Sequence, residues 1–261
     1  MKTPQDQNFD TLIKSFEQRV YETRKGDWRL KLLKEDLAEF QQTVKPLEIW
    51  DAGCGFAQIS LWLAAQNHQL TLCDLSEKML QRAQQEFTKA DLKGQFHHQA
   101  AQLLAPQLPE FDLVLCHAVL EWLAEPMLSL QIIANKVKTG GCLSLLFYNR
   151  NAMVYTNTLK GGWRWQNLLN DSYMGKGSKL TPPNPHYPHQ VIEQLQNWGF
   201  MVIKHTGIRV FHDYLSKDIL AQSSESELFE LEYRYCRMPT YRDMGRYIHL
   251  VAQRKIYPKP F

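Results

Sequence analysis

Two acids and two glycines, Asp51, Gly53, Gly55 and Asp74, have the types and spacing of a cradle for a nucleoside cofactor. Asp51 ends the run Leu47-Glu48-Ile49-Trp50, and Asp74 ends a second run, Leu70-Thr71-Leu72-Cys73. Gly53 and Gly55 remove the Cβ atoms that would block a close ligand, and a helix begins just after them. The acid closing the second strand is placed to accept hydrogen bonds from ribose hydroxyls. A dinucleotide loop needs a third glycine, but Gln58 stands there. Asp51 would repel a diphosphate, yet it can help to hold an ammonium group, directly or through water. The combination suits S-adenosylmethionine, which joins adenosine to a cationic amino acid and carries no phosphate. The competing reading of these residues is a tight strand-to-helix turn with no ligand.

Further candidates lie where other strands should end. Ala101 would leave room for the adenine ring and Gln102 would offer its backbone amide to the ring edge. His117 leaves the fourth strand near the cofactor's reactive end, or else only caps the turn there. Tyr148 and Arg150 close the fifth strand. Arg209 and His212 are three residues apart, close enough to meet one anion, with Tyr214 beside them and Arg246 further on. For each of these the alternative is a surface ion pair. The Asp-x-Gly-x-Gly-x-Ala pattern from Asp51 to Ala57 resembles the first motif of the class I methyltransferases.

The elements that must position these residues follow from periodicity. Phe9, Leu12, Ile13, Phe16 and Val20 recur at helical spacing, and Gly26 separates that helix from a second one over about Trp28–Gln42. Expected next are a strand at Leu47–Trp50, a helix from Ala57 to Gln66, a strand ending at Asp74, and a helix capped by Ser76. Strands at Gln95–His98, Phe111–Cys116 and Cys142–Phe147 follow, with a helix near Leu128–Val137 ending at Gly140-Gly141. The near-continuous apolar run Leu113–Cys116 fits a central parallel strand covered on both faces. Residues 149–189, with four prolines and little periodicity, read as an irregular insertion of functional type. A helix at Gln190–Trp198, a strand at Phe200–Thr206, a helical insertion over 207–245 and a last strand at Arg246–Gln253 complete the chain. Such alternation predicts a doubly wound, mostly parallel sheet with an antiparallel addition at its edge.

At 261 residues, the chain is best read as one α/β domain, 1–261, with N-terminal helices over 1–45 and two substrate insertions. No segment reaches the roughly 18 apolar residues of a membrane span and Met1–Asp10 lacks signal-peptide character, so a soluble, cytoplasmic protein is expected. Five cysteines without a Cys-x-x-Cys pair read as buried thiols, with no metal site. Residues 1–150 carry 16 Lys+Arg against 18 Asp+Glu, whereas 151–261 carry 14 against 9, so the basic excess lies beyond the cofactor strands. That excess suits an acidic substrate or a nucleic acid, or an ordinary solvated surface. Interleaved aromatic and basic residues fit unpaired RNA, but also a small aromatic acid.

The segments Thr23–Arg29, Cys116–Trp122, Leu145–Asn149, Gly207–Tyr214, Leu231–Arg237 and Gly245–His249 together resemble the bacterial tRNA 5-carboxymethoxyuridine methyltransferase family. The likeness covers nearly the whole chain, and the motifs after residue 116 are its more specific part. It implies a seven-stranded Rossmann-like fold and methylation of the carboxylate of 5-carboxymethoxyuridine at the tRNA wobble position. S-adenosylmethionine is the implied donor, tRNA the implied partner, with no obligate protein partner. By matched position, the resemblance implies cofactor contacts from Arg29, Gly53, Cys54, Asp74, Ala101, Gln102 and His117, with Cys54 acting through its backbone. A carboxylate acceptor needs no general base and no protein nucleophile, so no residue is required beyond those that position it. Arg209 is expected to orient the acceptor, assisted by His212 or Tyr148, with Lys160, Arg164, Lys176, Lys179 and Arg246 as candidates for tRNA contact. Other readings are a methyltransferase of a small carboxylic acid or phenol, and a non-catalytic RNA-binding protein on the same fold.

Overall fold

The computed structural model describes residues 5–13, 17, 23–41, 43–171 and 181–256. Its centre is a seven-stranded sheet: β1 Glu48–Ala52, β2 Gln69–Asp74, β3 Gln95–His98, β4 Phe111–His117, β5 Val137–Tyr148, β6 Phe200–Ile208 and β7 Tyr247–Arg254. The order is β3-β2-β1-β4-β5-β7-β6. The strands from β3 to β5 run parallel, and β7 is antiparallel to both β5 and β6. The late pair therefore extends the sheet as expected, with the antiparallel strand one place in from the edge.

Around the sheet lie α1 Arg24–Asp36, α2 Ala38–Gln41, α3 Gln58–Ala64, α4 Glu77–Lys89, α5 Ala101–Leu104 and α6 Pro126–Ala134. They are followed by α7 Arg150–Lys160, α8 Trp163–Leu169, α9 Pro188–Asn197, α10 Lys217–Gln222 and α11 Glu225–Tyr235. Strand residues alternate between two cores. On one face Trp50, Val114, Leu143, Leu145 and Leu250 pack with Leu130, Ile133 and Leu195. On the other, Ile49, Leu113, Leu115, Leu146 and Val251 meet Leu32, Leu33 and Leu37 of the α1 region. Each large aliphatic side chain buried this way contributes about 1.5–3 kcal/mol.

Several boundaries differ from expectation. Gly26 does not break a helix: Thr23 caps α1 by accepting from the Gly26 amide, so the glycine lies in the first turn. The helix stops at Leu37 rather than Gln42, which itself lies outside the described residues. Of the opening helix, Phe9 has no regular structure, 10–12 form a turn, and Ile13 and Glu17 are helical; Phe16 and Val20 are outside the described residues. Ahead of it residues 5–10 make a strap: Gln7 donates to the Trp122 carbonyl, Phe9 packs edge-on against Trp122, and Asp10 accepts from the Ser76 hydroxyl at 2.6 Å. Strand β5 begins at Val137 and includes Gly140-Gly141, because Val137 pairs with Phe111 of β4 ahead of an irregularity in the register, and pairing with β7 starts at Cys142. The insertion thought irregular carries α7 and α8, whose apolar residues stand largely on exposed surface and so lack a clean buried stripe. Residues 172–180 of that insertion, with Tyr173, Lys176 and Lys179, are outside the described residues.

All five cysteines are buried with free thiols. Among the described residues no helix is long and apolar enough to cross a membrane.

Candidate active site

The carboxyl ends of β1, β2 and β4 open into one cleft, and all eight residues assigned to the cofactor line it: Arg29, Gly53, Cys54, Gly55, Asp74, Ala101, Gln102 and His117. The strand-to-helix turn is built for close approach. Gly53 has φ +89°, a conformation that suits only glycine, and a Cβ there would collide with Val119. Ala57 adopts φ 56° as the residue before α3, which turns the chain sharply into the helix.

Asp74 accepts from the amides of Gly55 at 2.8 Å and Ser76 at 2.7 Å. Burial raises its carboxyl above the usual range although these bonds oppose the rise. Asp51 accepts from the Ser60 hydroxyl at 2.5 Å. Burial pushes its carboxyl up to about 7, Ser60 opposes this, and the neighbouring Asp74 adds to it. Two buried acids at the mouth of a glycine loop make a site for a cation and disfavour a phosphate. The side-chain oxygens of Gln58 and Gln102, also at the cleft, are buried without a hydrogen-bond partner. Gln102 spends its amide nitrogen on Asp6 of the strap, at 2.5 Å. Apolar walls come from Phe9, Met79, Val119 and Trp122. Orphaned acceptors, apolar walls and two acids fit an adenosine carrying a cationic chain.

His117 ends β4, and its Nε2 lies 2.7 Å from the Ser144 hydroxyl. Burial, with help from the Arg29 charge, holds its imidazole well below the usual range, so the ring is neutral at pH 7. It does more than cap a turn, because it stands on the cleft wall.

The acceptor candidates divide. Tyr148, Arg209 and Arg246 come together with Tyr247: the Arg246 guanidinium lies 4.6 Å from the Tyr148 ring and Arg209 lies 5.6 Å from the Tyr247 ring. The anion that Arg209 and His212 meet is internal. Asp213 lies 3.2 Å from Arg209, 3.3 Å from His212, 3.0 Å from Lys25 and 3.8 Å from Arg246. Burial would raise the Asp213 carboxyl, but Arg209, His212, Lys25 and Arg246 together hold it well below the usual carboxylate range. Three fixed cations against one carboxylate leave the cluster positive. His212 is buried edge-on against Trp28, and its Nδ1 faces Asp213. The Tyr214 hydroxyl donates to the Met244 carbonyl at 2.5 Å and is spoken for. Arg150 does not join the cluster: it pairs with Asp171 and stacks on Tyr187. Lys160 and Arg164 lie on α7 and α8, where Arg164 stacks on Trp163.

The loop bearing Arg209 is held from below. Glu232 of α11 accepts from the amides of Val210, Phe211 and His212 at 2.5, 3.0 and 2.6 Å. Above this clamp Arg209 has φ 61°, a strained conformation for a residue with a side chain.

Sequence reasoning missed Asp213 and Glu232 as parts of the site, although both lie inside motifs it singled out. It also missed Glu121, a fully buried acid that electrostatics link to Arg29. Burial pushes this carboxyl up to about 8, against the pull of nearby amides and Arg29, so its protonated form is favoured at neutral pH.

Comparison with known proteins agrees with this geometry. A methyltransferase-domain family model matches residues 50–145. The chain is 39% identical to the tRNA 5-carboxymethoxyuridine methyltransferase of Escherichia coli K12 over 96% of its length and 97% of that relative's. It is 28% identical to a ubiquinone biosynthesis O-methyltransferase of Coxiella burnetii, across 65% of this chain and 70% of that one. Among solved structures, magnesium protoporphyrin IX methyltransferase from Synechocystis with bound SAH superposes with a TM-score of 0.60, covering 95% of this chain and 96% of the other at 17% identity. At that identity the likeness is one of fold.

Proposed function

Since the chain belongs to the tRNA 5-carboxymethoxyuridine methyltransferase family, we propose that it moves the methyl group of S-adenosylmethionine to the carboxylate of 5-carboxymethoxyuridine at the wobble position of tRNA, forming the methyl ester. The observation that carries this reading is the length of the similarity. It runs through the cation cluster around Asp213, whereas the match to a methyltransferase of a different acceptor covers 65% of the chain.

The chemistry asks little of the protein beyond placement. S-adenosylmethionine supplies an activated methyl on a sulfonium. An acceptor carboxylate, with a pKa of about 4, is already ionised at pH 7, so no base is needed. Aligning the acceptor oxygen with the methyl and its leaving sulfur is worth about 7–11 kcal/mol at best. Asp51 and the acceptors at Gln58 and Gln102 suit the donor's cationic and adenine ends. Arg209 and Arg246 suit the acceptor, and their pairing with Asp213 moderates their grip, so the bound carboxylate keeps its nucleophilicity. Burial, by favouring the protonated form of Glu121, reduces a repelling charge near this centre. Tyr148 and Tyr247 exclude water, which favours reaction between opposite charges that cancel.

The test is direct. The protein is incubated with methyl-labelled S-adenosylmethionine and bulk tRNA lacking the wobble methyl ester, and the digested nucleosides are separated. Label in the methyl ester of carboxymethoxyuridine is expected. Label in any other nucleoside, or transfer only to small acids or phenols, overturns the substrate assignment.

A further inference from the structure

Four polar side chains, one on the cleft wall and three buried, form a continuous line beneath the cofactor cleft. His117 of β4 meets the Ser144 hydroxyl of β5 through Nε2 at 2.7 Å, and Ser144 meets His249 Nε2 of β7 at 2.8 Å. His249 Nδ1 then meets Asp36 of α1 at 2.8 Å, and Arg237 pairs with Asp36 at 2.9 Å. Ser144 and His249 are fully buried and Asp36 nearly so. The line crosses three strands on the face covered by α1. None of these partners of His117 is needed to build the sheet, whose ladder is complete without them.

The direction of the hydrogen bonds follows from their ends. Burial would raise the Asp36 carboxyl, but His249, Thr206 and Arg237 bring it down to about 2, so it can only accept. His249 therefore donates from Nδ1. Arg237 already supplies the counter-charge of Asp36, so a single proton on His249 leaves the line balanced; its Nε2 then accepts from the Ser144 hydroxyl, and Ser144 accepts from His117 Nε2–H. Every proton points toward the carboxylate. The reverse order would put protons on both nitrogens of His249 and add a buried charge.

We propose that Asp36, acting through His249 and Ser144, is a positioning residue that fixes the proton of His117 on Nε2 and so presents the lone pair of Nδ1 to the cofactor cleft. This rests on the cofactor reading above and extends it by three residues. A ring fixed as an acceptor suits the cationic end of S-adenosylmethionine, whereas the other tautomer would aim an N–H at it.

The test uses the intact protein labelled with nitrogen-15 histidine and saturated with S-adenosylhomocysteine. Proton–nitrogen correlation spectra report which ring nitrogen of His117 carries the proton, with His117→Gln giving the assignment. The wild type is expected to show Nε2–H; a proton on Nδ1 overturns the proposal without recourse to any variant of the line. In Ser144→Ala the tautomer preference should be lost and the Kd for S-adenosylhomocysteine should rise about fivefold, the worth of one hydrogen bond. Ser144→Thr, which keeps the hydroxyl, should restore both. A tautomer unmoved in Ser144→Ala also overturns the proposal. Neither readout involves tRNA, so failure here and failure of the acceptor assignment are separate results.

Discussion

Arg209 carries the acceptor assignment at the residue scale. It faces Asp213, lies against Tyr247 and sits on a strained backbone above the Glu232 clamp. Arg209→Ala should lower kcat/KM for carboxymethoxyuridine tRNA by roughly a hundredfold, the cost of losing a buried charged contact. Its S-adenosylhomocysteine affinity should stay unchanged, as calorimetry would show. Wild-type methyl transfer by this variant would remove Arg209 from the site. Asp51 gives a prediction in pH. Its carboxyl is raised to about 7 in the folded protein, chiefly by burial, so the cofactor-free protein should lose stability as pH rises from about 4 to 7. The cofactor's ammonium favours the ionised acid, so its affinity should fall by up to about tenfold per unit as pH drops below about 7. Asp51→Asn should flatten that slope, and an equal slope in both proteins would show that Asp51 is not the group responsible. The cleft was legible because its turn is local: strand, glycine, glycine, helix and a second acid fall within twenty-four residues, Asp51 to Asp74. The Asp36, Ser144 and His249 line was not, because its members are 105 and 213 residues apart in sequence. Arg150, His212 and Tyr214 were singled out by type and position, but their neighbours decide their roles, and these neighbours are Asp171, Trp28 and the Met244 carbonyl.

At the scale of elements, the end of β6 and the turn before β7 cross with backbone against backbone. A Cβ on Gly245 would stand 2.6 Å from the Ile208 amide nitrogen, and one on Gly207 would strike the Arg242 carbonyl. This crossing sets the spacing between Arg209 and Arg246, which flank it. Gly245→Ala should therefore cost about 1–3 kcal/mol in urea unfolding, and should weaken transfer to tRNA more than it weakens cofactor binding. A variant as stable as wild type would mean that the crossing relaxes freely. The alternating elements from β1 to β5 were readable because parallel strands covered on both faces leave long apolar runs, such as Leu113–Cys116. Helices α7 and α8 were not readable, since helices that bury little keep no stripe.

Across the whole molecule, charge and exposed aromatics gather in the later half. Trp163 and Trp165 are 49% and 55% exposed, enough for a base to stack on either ring, and Lys160 and Arg164 flank them. If this face takes the tRNA, its affinity should fall steeply with salt, log Kd rising with log salt by a slope near the number of phosphates met. Trp165→Ala should weaken binding by about 1–3 kcal/mol while leaving the salt slope unchanged. A flat salt response would point to a small-molecule acceptor. The strap of residues 5–10 adds a matter of timing. It is clasped on both sides of the cleft, Asp6 by Gln102 and the Ala124 amide, and Asp10 by Ser76 and Lys78. If a spent cofactor leaves only after those clasps open, the enzyme should keep its own interval between turnovers. The first methyl ester should form in a rapid burst and the next ones at the pace of unfastening.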